Sequence, residues 1–154
     1  MMELPRKITR FFEKQGFVIV STLDTKGKIH CSAKGIVGIE DGKIFLIDVY
    51  LRTTFRNLKK NKTISITAVD EHNFEGYTLQ GSAKLVARED MHDHIVAAWE
   101  KKIVERISKR IIKSVQTETK SQAHFEAELP SKPTYVIEVD VENIIDLSPP
   151  SKKG

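Results

Sequence analysis

The stretch DGKIFLIDVYLRTTFRNLKKNKTISI, residues 41–66, holds the pattern that decides the fold. It opens on Asp41-Gly42, a hairpin turn signal, and continues into an apolar strand over residues 43–50. A short polar helix of two or three turns begins near Thr53. The next strand, residues 62–70, alternates apolar and polar side chains, which is typical of a half-buried strand. The stretch therefore predicts two strands joined by one short helix.

Working outward from this stretch, further strands are predicted at residues 17–23, 29–40 and 76–89, with one or two more at 134–147. Gly81 marks a bulge in the third of these. Pro5 and Gly16 bracket a short N-terminal helix. Apolar residues recur every four positions over 91–116, which predicts one long amphipathic helix, or two with a bend. Hairpin-linked strands in this order favour a small closed or half-closed β-barrel, since closure protects sheet edges.

Length and composition indicate a globular protein with one core. The chain has 154 residues, of which 40% are hydrophobic and 30% charged. We expect a single domain over residues 1–148 and a tail over 149–154. No apolar run is long enough to span a membrane, and the charged N-terminus is a poor signal peptide. The single cysteine, Cys31, excludes an intrachain disulfide and is expected to be a buried thiol. A cytoplasmic location follows as the default, and the net charge of +4 mildly favours anionic partners.

The polar segment after residue 51 has two interpretations. A helix that begins near Thr53 presents unpaired backbone N–H groups, which together with Arg52 and Arg56 suit a phosphate. Alternatively, Thr53 or Thr54 is an ordinary N-cap and the cations coat a surface helix. The spacing alone leaves both open.

Two features of the long helix are expected to be structural. His92 and His94 are two positions apart, so they do not share a helix face, and no metal site is predicted. Trp99 lies on the apolar stripe and is expected to pack in the core or at a dimer contact.

The run from Val20 to Val86 resembles the flavin-binding split barrels related to pyridoxamine 5′-phosphate oxidase. In that family a D-x-x-G turn precedes a strand that faces the flavin, and a short polar helix and a glycine-bearing strand follow. The counterparts here are Asp24 with Gly27, Ser32-Ala33-Lys34, Thr54-Phe55-Arg56-Asn57-Leu58 with Asn61, and Gly81. The resemblance covers residues 17 to about 88, and the final strand fits the family's closing strand. It implies a mainly β fold with helices (α+β): a six- to seven-stranded antiparallel split β-barrel with an N-terminal helix and a long amphipathic helix before the last strand.

The same resemblance implies an FMN-binding flavoprotein, with FMN in a groove between the two subunits of a homodimer. The FMN phosphate would be held by four side chains, those of Arg52, Thr53, Thr54 and Arg56. The flavin ring would be lined by the backbone of two segments, Ser32, Ala33, Lys34 and Gly35 in one and Asp48, Val49 and Tyr50 in the other. The resemblance places Lys34 near the phosphate or near the N1 edge of the flavin, where a cation stabilises the anionic reduced ring. It makes Tyr50 the candidate for stacking on that ring.

The implied activity is that of a flavin-dependent oxidoreductase with a small-molecule electron donor or acceptor, and its substrate is left open. Thr54 stands where the family often has a phosphate-binding lysine, and Arg52 is close enough to substitute. After Asp146 the sequence offers only LSPPSKKG, without the arginine- and histidine-bearing C-terminus of the biosynthetic oxidase. Oxidation of pyridoxamine 5′-phosphate itself is therefore not expected.

Two other interpretations stay open. One is a non-enzymatic small β-barrel that binds single-stranded nucleic acid, although the predicted outer faces offer few aromatic residues, so nucleic acid is not the favoured partner. The other is a family member that has lost flavin or binds haem. No membrane partner is expected.

Overall fold

The structure is a computed structural model that describes residues 2–49, 52–117 and 133–150. These described residues contain seven strands, three α-helices and a one-turn 3₁₀ helix at Arg88–Asp90. The helices are α1 (Arg6–Glu13), α2 (Thr53–Lys60) and α3 (Asp93–Thr117). The strands are β1 (Val18–Leu23), β2 (Ile29–Lys34), β3 (Ile36–Glu40), β4 (Lys43–Leu46), β5 (Thr63–Asp70), β6 (Glu75–Ala87) and β7 (Tyr135–Asp146). The predicted fold class, an antiparallel split barrel with these helices, is confirmed.

The sheet is closed by the way β2 and β3 are joined. The strand order is β2-β1-β5-β6-β7-β4-β3, and every neighbouring pair is antiparallel. Strands β2 and β3 therefore form opposite edges, yet only Gly35 separates them in the chain. One residue cannot cross the width of a flat sheet, so the sheet curls until its two edges meet at Gly35. The amide of Ile47 donates to the Gly35 carbonyl at 2.9 Å, which ties the end of β4 to this corner.

The predicted bulge at Gly81 is confirmed. The pairing of β6 with β7 shifts register between Gln80 and Gly81. A Cβ at Gly81 would lie 2.0 Å from the carbonyl oxygen of Asp140 on β7. Only a residue without a side chain permits this approach of the two backbones.

Two apolar clusters hold the elements together. The barrel interior contains Val20, Ile66, Leu79 and Ile137, and Phe12 of α1 belongs to the same cluster. The second cluster lies between α3 and the outer side of β3, β4 and β7, with Trp99 at 1% exposure among its members. Because successive strand side chains point to opposite faces, β4 places Ile44 in the first cluster and Phe45 in the second.

Three local expectations differ from the structure. Residues 29–40 form two strands and not one, because the chain must pass from one sheet edge to the other at Gly35. The strand predicted over 43–50 ends at Leu46, and the Asp48 that follows turns inward to meet Lys34. The thiol of Cys31 is exposed and not buried, because β2 is an edge strand whose Cys31 side chain points away from the barrel.

The long helix forms as predicted, as the single helix α3. Within the described part of the chain, no helix combines the length and the apolar character that crossing a membrane requires.

Candidate functional site

Strand β2 and helix α2 are joined by polar contacts. The hydroxyl groups of Ser32 and Thr54 lie 2.8 Å apart, and the amide of Asn57 donates to the Thr22 hydroxyl on β1 at 3.0 Å. Thr54 and Asn57 are both buried. The side chain of Thr54, predicted as a phosphate ligand, therefore faces β2 and fixes where α2 begins.

The first turn of α2 is basic and contains no carboxylate. Arg52 stands at the N-cap position and makes no capping hydrogen bond with its side chain. The backbone amide of Arg56 donates to the Arg52 carbonyl at 3.0 Å, and the Arg56 guanidinium donates to the Thr53 hydroxyl at 3.2 Å. Both arginines are exposed. Since the first N–H groups of a helix have no partner within it, this end of α2 offers N–H groups and two guanidinium groups to an anion.

A buried charged cluster lies at the C-terminal end of β2, two residues beyond Ser32. The ammonium group of Lys34 is 2.8 Å from a carboxylate oxygen of Asp48, whose side chain is only 1% exposed. The hydroxyl of Tyr135, at the start of β7, donates to the second oxygen of Asp48. Burial raises the pKa of Tyr135, and the hydrogen bond to Asp48 and the charge of that carboxylate raise the pKa further. The ring centroids of Tyr135 and of Phe55 on α2 lie 5.0 Å apart in an edge-to-face arrangement. This contact joins the cluster to the phosphate-binding candidate.

Gly35, next in the chain to Lys34, lies beneath a side chain of α3. A Cβ at Gly35 would lie 3.0 Å from Nη2 of Arg106. The absence of a side chain at this corner thus allows the Arg106 guanidinium to lie directly against the backbone.

The eleven predicted flavin-site residues do not all come together. Seven of them lie around β2 and the first turn of α2 or contact a residue there: Ser32, Lys34, Gly35, Asp48, Thr53, Thr54 and Arg56. Arg52 is the residue that precedes this turn. Ala33 is exposed on an edge strand, and Val49 packs against the cluster beneath α3. Tyr50 lies outside the described residues.

The sequence does not identify Tyr135 and Arg106 as parts of this region, and it includes Phe55 only as a position in the motif of α2. Tyr135 falls within the strand predicted over residues 134–147, and it lies 87 positions from its partner Asp48. Arg106 is one of several cations along the predicted helix over 91–116. Sheet pairing and helix packing bring these residues to the site, and the spacing of residues along the sequence does not predict such contacts.

His92 and His94 contact each other, and His94 contacts Glu40. The rings of His92 and His94 stack at 5.7 Å, and Nε2 of His94 lies 2.8 Å from Glu40. Residues 2–49, 52–117 and 133–150 contain no group of three histidine, cysteine or acidic side chains placed to hold a metal ion.

Comparison with solved structures shows a shared fold. HupZ from Group A Streptococcus is 18% identical, with 95% of each chain covered and a TM-score of 0.63. General Stress Protein 26 from Bacillus anthracis is 14% identical, with 95% of each chain covered and a TM-score of 0.59. HutZ, the haem storage protein from Vibrio cholerae, is 16% identical, with 94% of each chain covered and a TM-score of 0.53.

Comparison with curated protein sequences gives no match. The sequence model of a protein family, described as pyridoxamine 5′-phosphate oxidase, matches residues 4–147, nearly the whole chain. The strand order and the bulge at Gly81 lie within that match. The chain therefore belongs to the pyridoxamine 5′-phosphate oxidase family.

Proposed function

We propose that this chain binds FMN and acts as a flavin-dependent oxidoreductase, with the FMN phosphate at the N-terminus of α2. The observation that carries the proposal is the acid-free first turn of α2 with exposed Arg52 and Arg56 beside it. The hydrogen bond between Ser32 and Thr54 holds this turn against β2. A phosphate monoester fits this donor set because backbone N–H groups and guanidinium groups are both strong donors to its oxygens.

Each part of the site has a separate task in this proposal. Arg52, Thr53 and Arg56 bind the phosphate, and the backbone of β2 near Gly35 lies along the flavin ring. When bound, FMN supplies hydride or single-electron transfer. Because Asp48 neutralises the ammonium of Lys34, the chain offers the ring a hydrogen-bonding cation whose charge is already balanced.

The proposal includes a homodimer. The outer face of β1, β2 and β5 carries uncharged side chains at successive paired positions: Ile19, Ser21, Ile29, Cys31, Ala33, Ser65 and Thr67. Ile19 and Ile29 are 40% and 73% exposed. In a chain with 30% charged residues, a sheet face without charge favours a partner with the same uncharged surface, as in a two-fold interface. A second copy of this chain fits that requirement.

The test is a fluorescence titration with FMN and with riboflavin, which lacks the phosphate. We expect the wild type to bind FMN at least tenfold more tightly, since a hydrogen bond to a charged group contributes about 1.5–3 kcal/mol. Arg56→Gln should reduce FMN affinity about tenfold. Lys60→Gln is the matched control, because Lys60 is an exposed cation in the last turn of the same helix. Equal affinity for riboflavin and FMN would remove the phosphate site.

The same protein is titrated with haemin and with single-stranded DNA. Haem storage is stated for HutZ, which shares only the fold with this chain. A haemin complex together with no binding of FMN would replace the proposal by a haem-binding function. Salt-dependent binding of DNA without flavin would replace it by the nucleic-acid function.

A further inference from the structure

The starting observation is the buried carboxyl group of Asp48. Its side chain is 1% exposed, and both of its oxygens accept hydrogen bonds. One bond comes from the ammonium group of Lys34 at 2.8 Å, and the other comes from the hydroxyl of Tyr135. A protonated carboxyl group would have to donate from one of these two oxygens. Because a donor already points at each of them, Asp48 is an ionised carboxylate.

The backbone holds this ion pair in place. The amide of Ile47 donates to the Gly35 carbonyl at 2.9 Å, so the residue before Asp48 is bonded to the residue after Lys34. Tyr135 is buried, and its ring packs edge-to-face on Phe55. The pair is therefore fixed at the C-terminal end of β2, beside the backbone along which the flavin ring is proposed to lie.

The charges at this end of β2 come from two cations and one carboxylate. The cations are Lys34 and Arg106, whose Nη2 lies 3.0 Å from the position that a Cβ of Gly35 would take. The carboxylate is Asp48, which forms the ion pair with Lys34. Asp48 therefore reduces the local charge from two positive units to one.

We infer that Asp48 sets the redox preference of the bound flavin by cancelling the charge of Lys34. The inference rests on the proposed function, because it requires FMN with its ring along β2. Reduction of FMN to its anionic reduced form takes two electrons and one proton and leaves one additional negative charge on the ring. A neighbouring cation stabilises that form. The pairing of Lys34 with Asp48 therefore weakens the binding of reduced FMN relative to that of oxidised FMN.

The test compares the dissociation constants of oxidised and reduced FMN by calorimetry at pH 7. Reduced FMN is prepared without oxygen from dithionite, which supplies the two electrons, while water supplies the proton. We expect Asp48→Asn to raise the ratio of the Kd for oxidised FMN to the Kd for reduced FMN about tenfold. That change equals a two-electron reduction potential about 30 mV higher. Asparagine has nearly the shape of aspartate and keeps one acceptor oxygen, so the fold should persist.

Two further variants separate the charge of Asp48 from its structural role. The double variant Lys34→Met, Asp48→Asn carries neither charge of the pair, so its ratio should return to that of the wild type. Tyr135→Phe removes one hydrogen bond from Asp48 and leaves its charge, so its ratio should also equal that of the wild type. An equal rise in Tyr135→Phe and Asp48→Asn would show that packing around Asp48 and not its charge determines the ratio, which would overturn the inference.

The inference and the proposed function fail in different ways. If the wild type binds neither oxidised nor reduced FMN, the proposed function fails and the inference falls with it. If both forms bind and the ratio is the same in the wild type and in Asp48→Asn, the inference alone is overturned. A rise that persists in the double variant would overturn it as well, since the effect would not depend on the charge of Lys34.

Discussion

Removing Lys34 is predicted to destabilise the protein because it leaves the buried carboxylate of Asp48 without its counter-ion. Lys34→Met leaves Asp48, with 1% side-chain exposure, bonded only to the Tyr135 hydroxyl. Two unit charges 2.8 Å apart attract by about 6 kcal/mol at an effective dielectric constant of about 20. Part of that gain offsets the desolvation of both ions, and breaking such buried pairs typically costs about 3–5 kcal/mol.

Protonation sets an upper limit to this loss. The carboxyl group left without a counter-ion can take up a proton. For an aspartate of ordinary pKa this protonation costs about 4 kcal/mol at pH 7 and about 1.5 kcal/mol at pH 5. The free energy of unfolding of Lys34→Met should therefore fall by about 3–4 kcal/mol at pH 7 and by no more than about 1.5 kcal/mol at pH 5. The penalty grows as pH rises because the unfolded carboxyl ionises freely and the buried one does not.

The assay is urea unfolding at both pH values, followed by the fluorescence of Trp99, the one tryptophan of the chain and a buried one. Lys84→Met is the control, since Lys84 is an exposed strand lysine, and it should stay within about 0.5 kcal/mol of the wild type. The double variant Lys34→Met, Asp48→Asn should recover most of the loss at pH 7. A Lys34→Met penalty under about 1 kcal/mol, or one that is the same at both pH values, would refute the reasoning.

Three further predictions concern the bulge, the buried tyrosine and the uncharged sheet face. Gly81→Ala should lower the free energy of unfolding by about 3 kcal/mol or more, because its Cβ would lie 2.0 Å from the Asp140 carbonyl oxygen. Gly16→Ala is the control, since the space around Gly16 is open and its stability should change little. Equal stabilities of the two variants in urea unfolding would contradict the geometry. The folded-state pKa of Tyr135 is raised above its ordinary value of about 10, so its stabilisation is complete below pH 10 and is lost as pH rises. Above pH 10 the free energy of unfolding of the wild type should fall, relative to that of Tyr135→Phe, by up to about 1.4 kcal/mol per pH unit. Unfolding measurements at alkaline pH test this, and parallel plots of unfolding free energy against pH for the two proteins would argue against a buried hydroxyl. Sedimentation should find the wild type dimeric and Ser65→Arg, which adds a charge to the sheet face, monomeric; a Ser65→Arg dimer would place the interface elsewhere.

Much of the fold follows from local patterns in the sequence. Three local signals predict the structure correctly, because neighbouring residues determine it. They are the alternation of apolar and polar residues in β5, the recurrence of apolar residues every four positions in α3, and the glycine at the bulge of β6. The break at Gly35 was missed for a different reason. It is set by closure of the sheet, and the residues around it remain compatible with one continuous strand.

The site divides in the same way. The phosphate-binding candidate could be predicted because Arg52, Thr53 and Arg56 all belong to one turn. The cluster around Asp48 could not, because Lys34, Asp48 and Tyr135 come from β2, the segment after β4, and β7, which meet only through the sheet order. Pairing of a buried acid with a distant hydroxyl leaves no signal in the spacing of either residue.

The closing corner connects stability with binding. Gly35 joins the two sheet edges, and the Lys34–Asp48 pair fastens the end of β2 to the segment after β4. The Tyr135 ring carries that connection to Phe55 on α2, and Arg106 reaches the corner from α3. A flavin phosphate bound at the first turn of α2, with the ring along β2, would contact both elements that these bonds join. Because a ligand that binds only the folded state stabilises it, bound FMN should protect the junction at Gly35 from local opening.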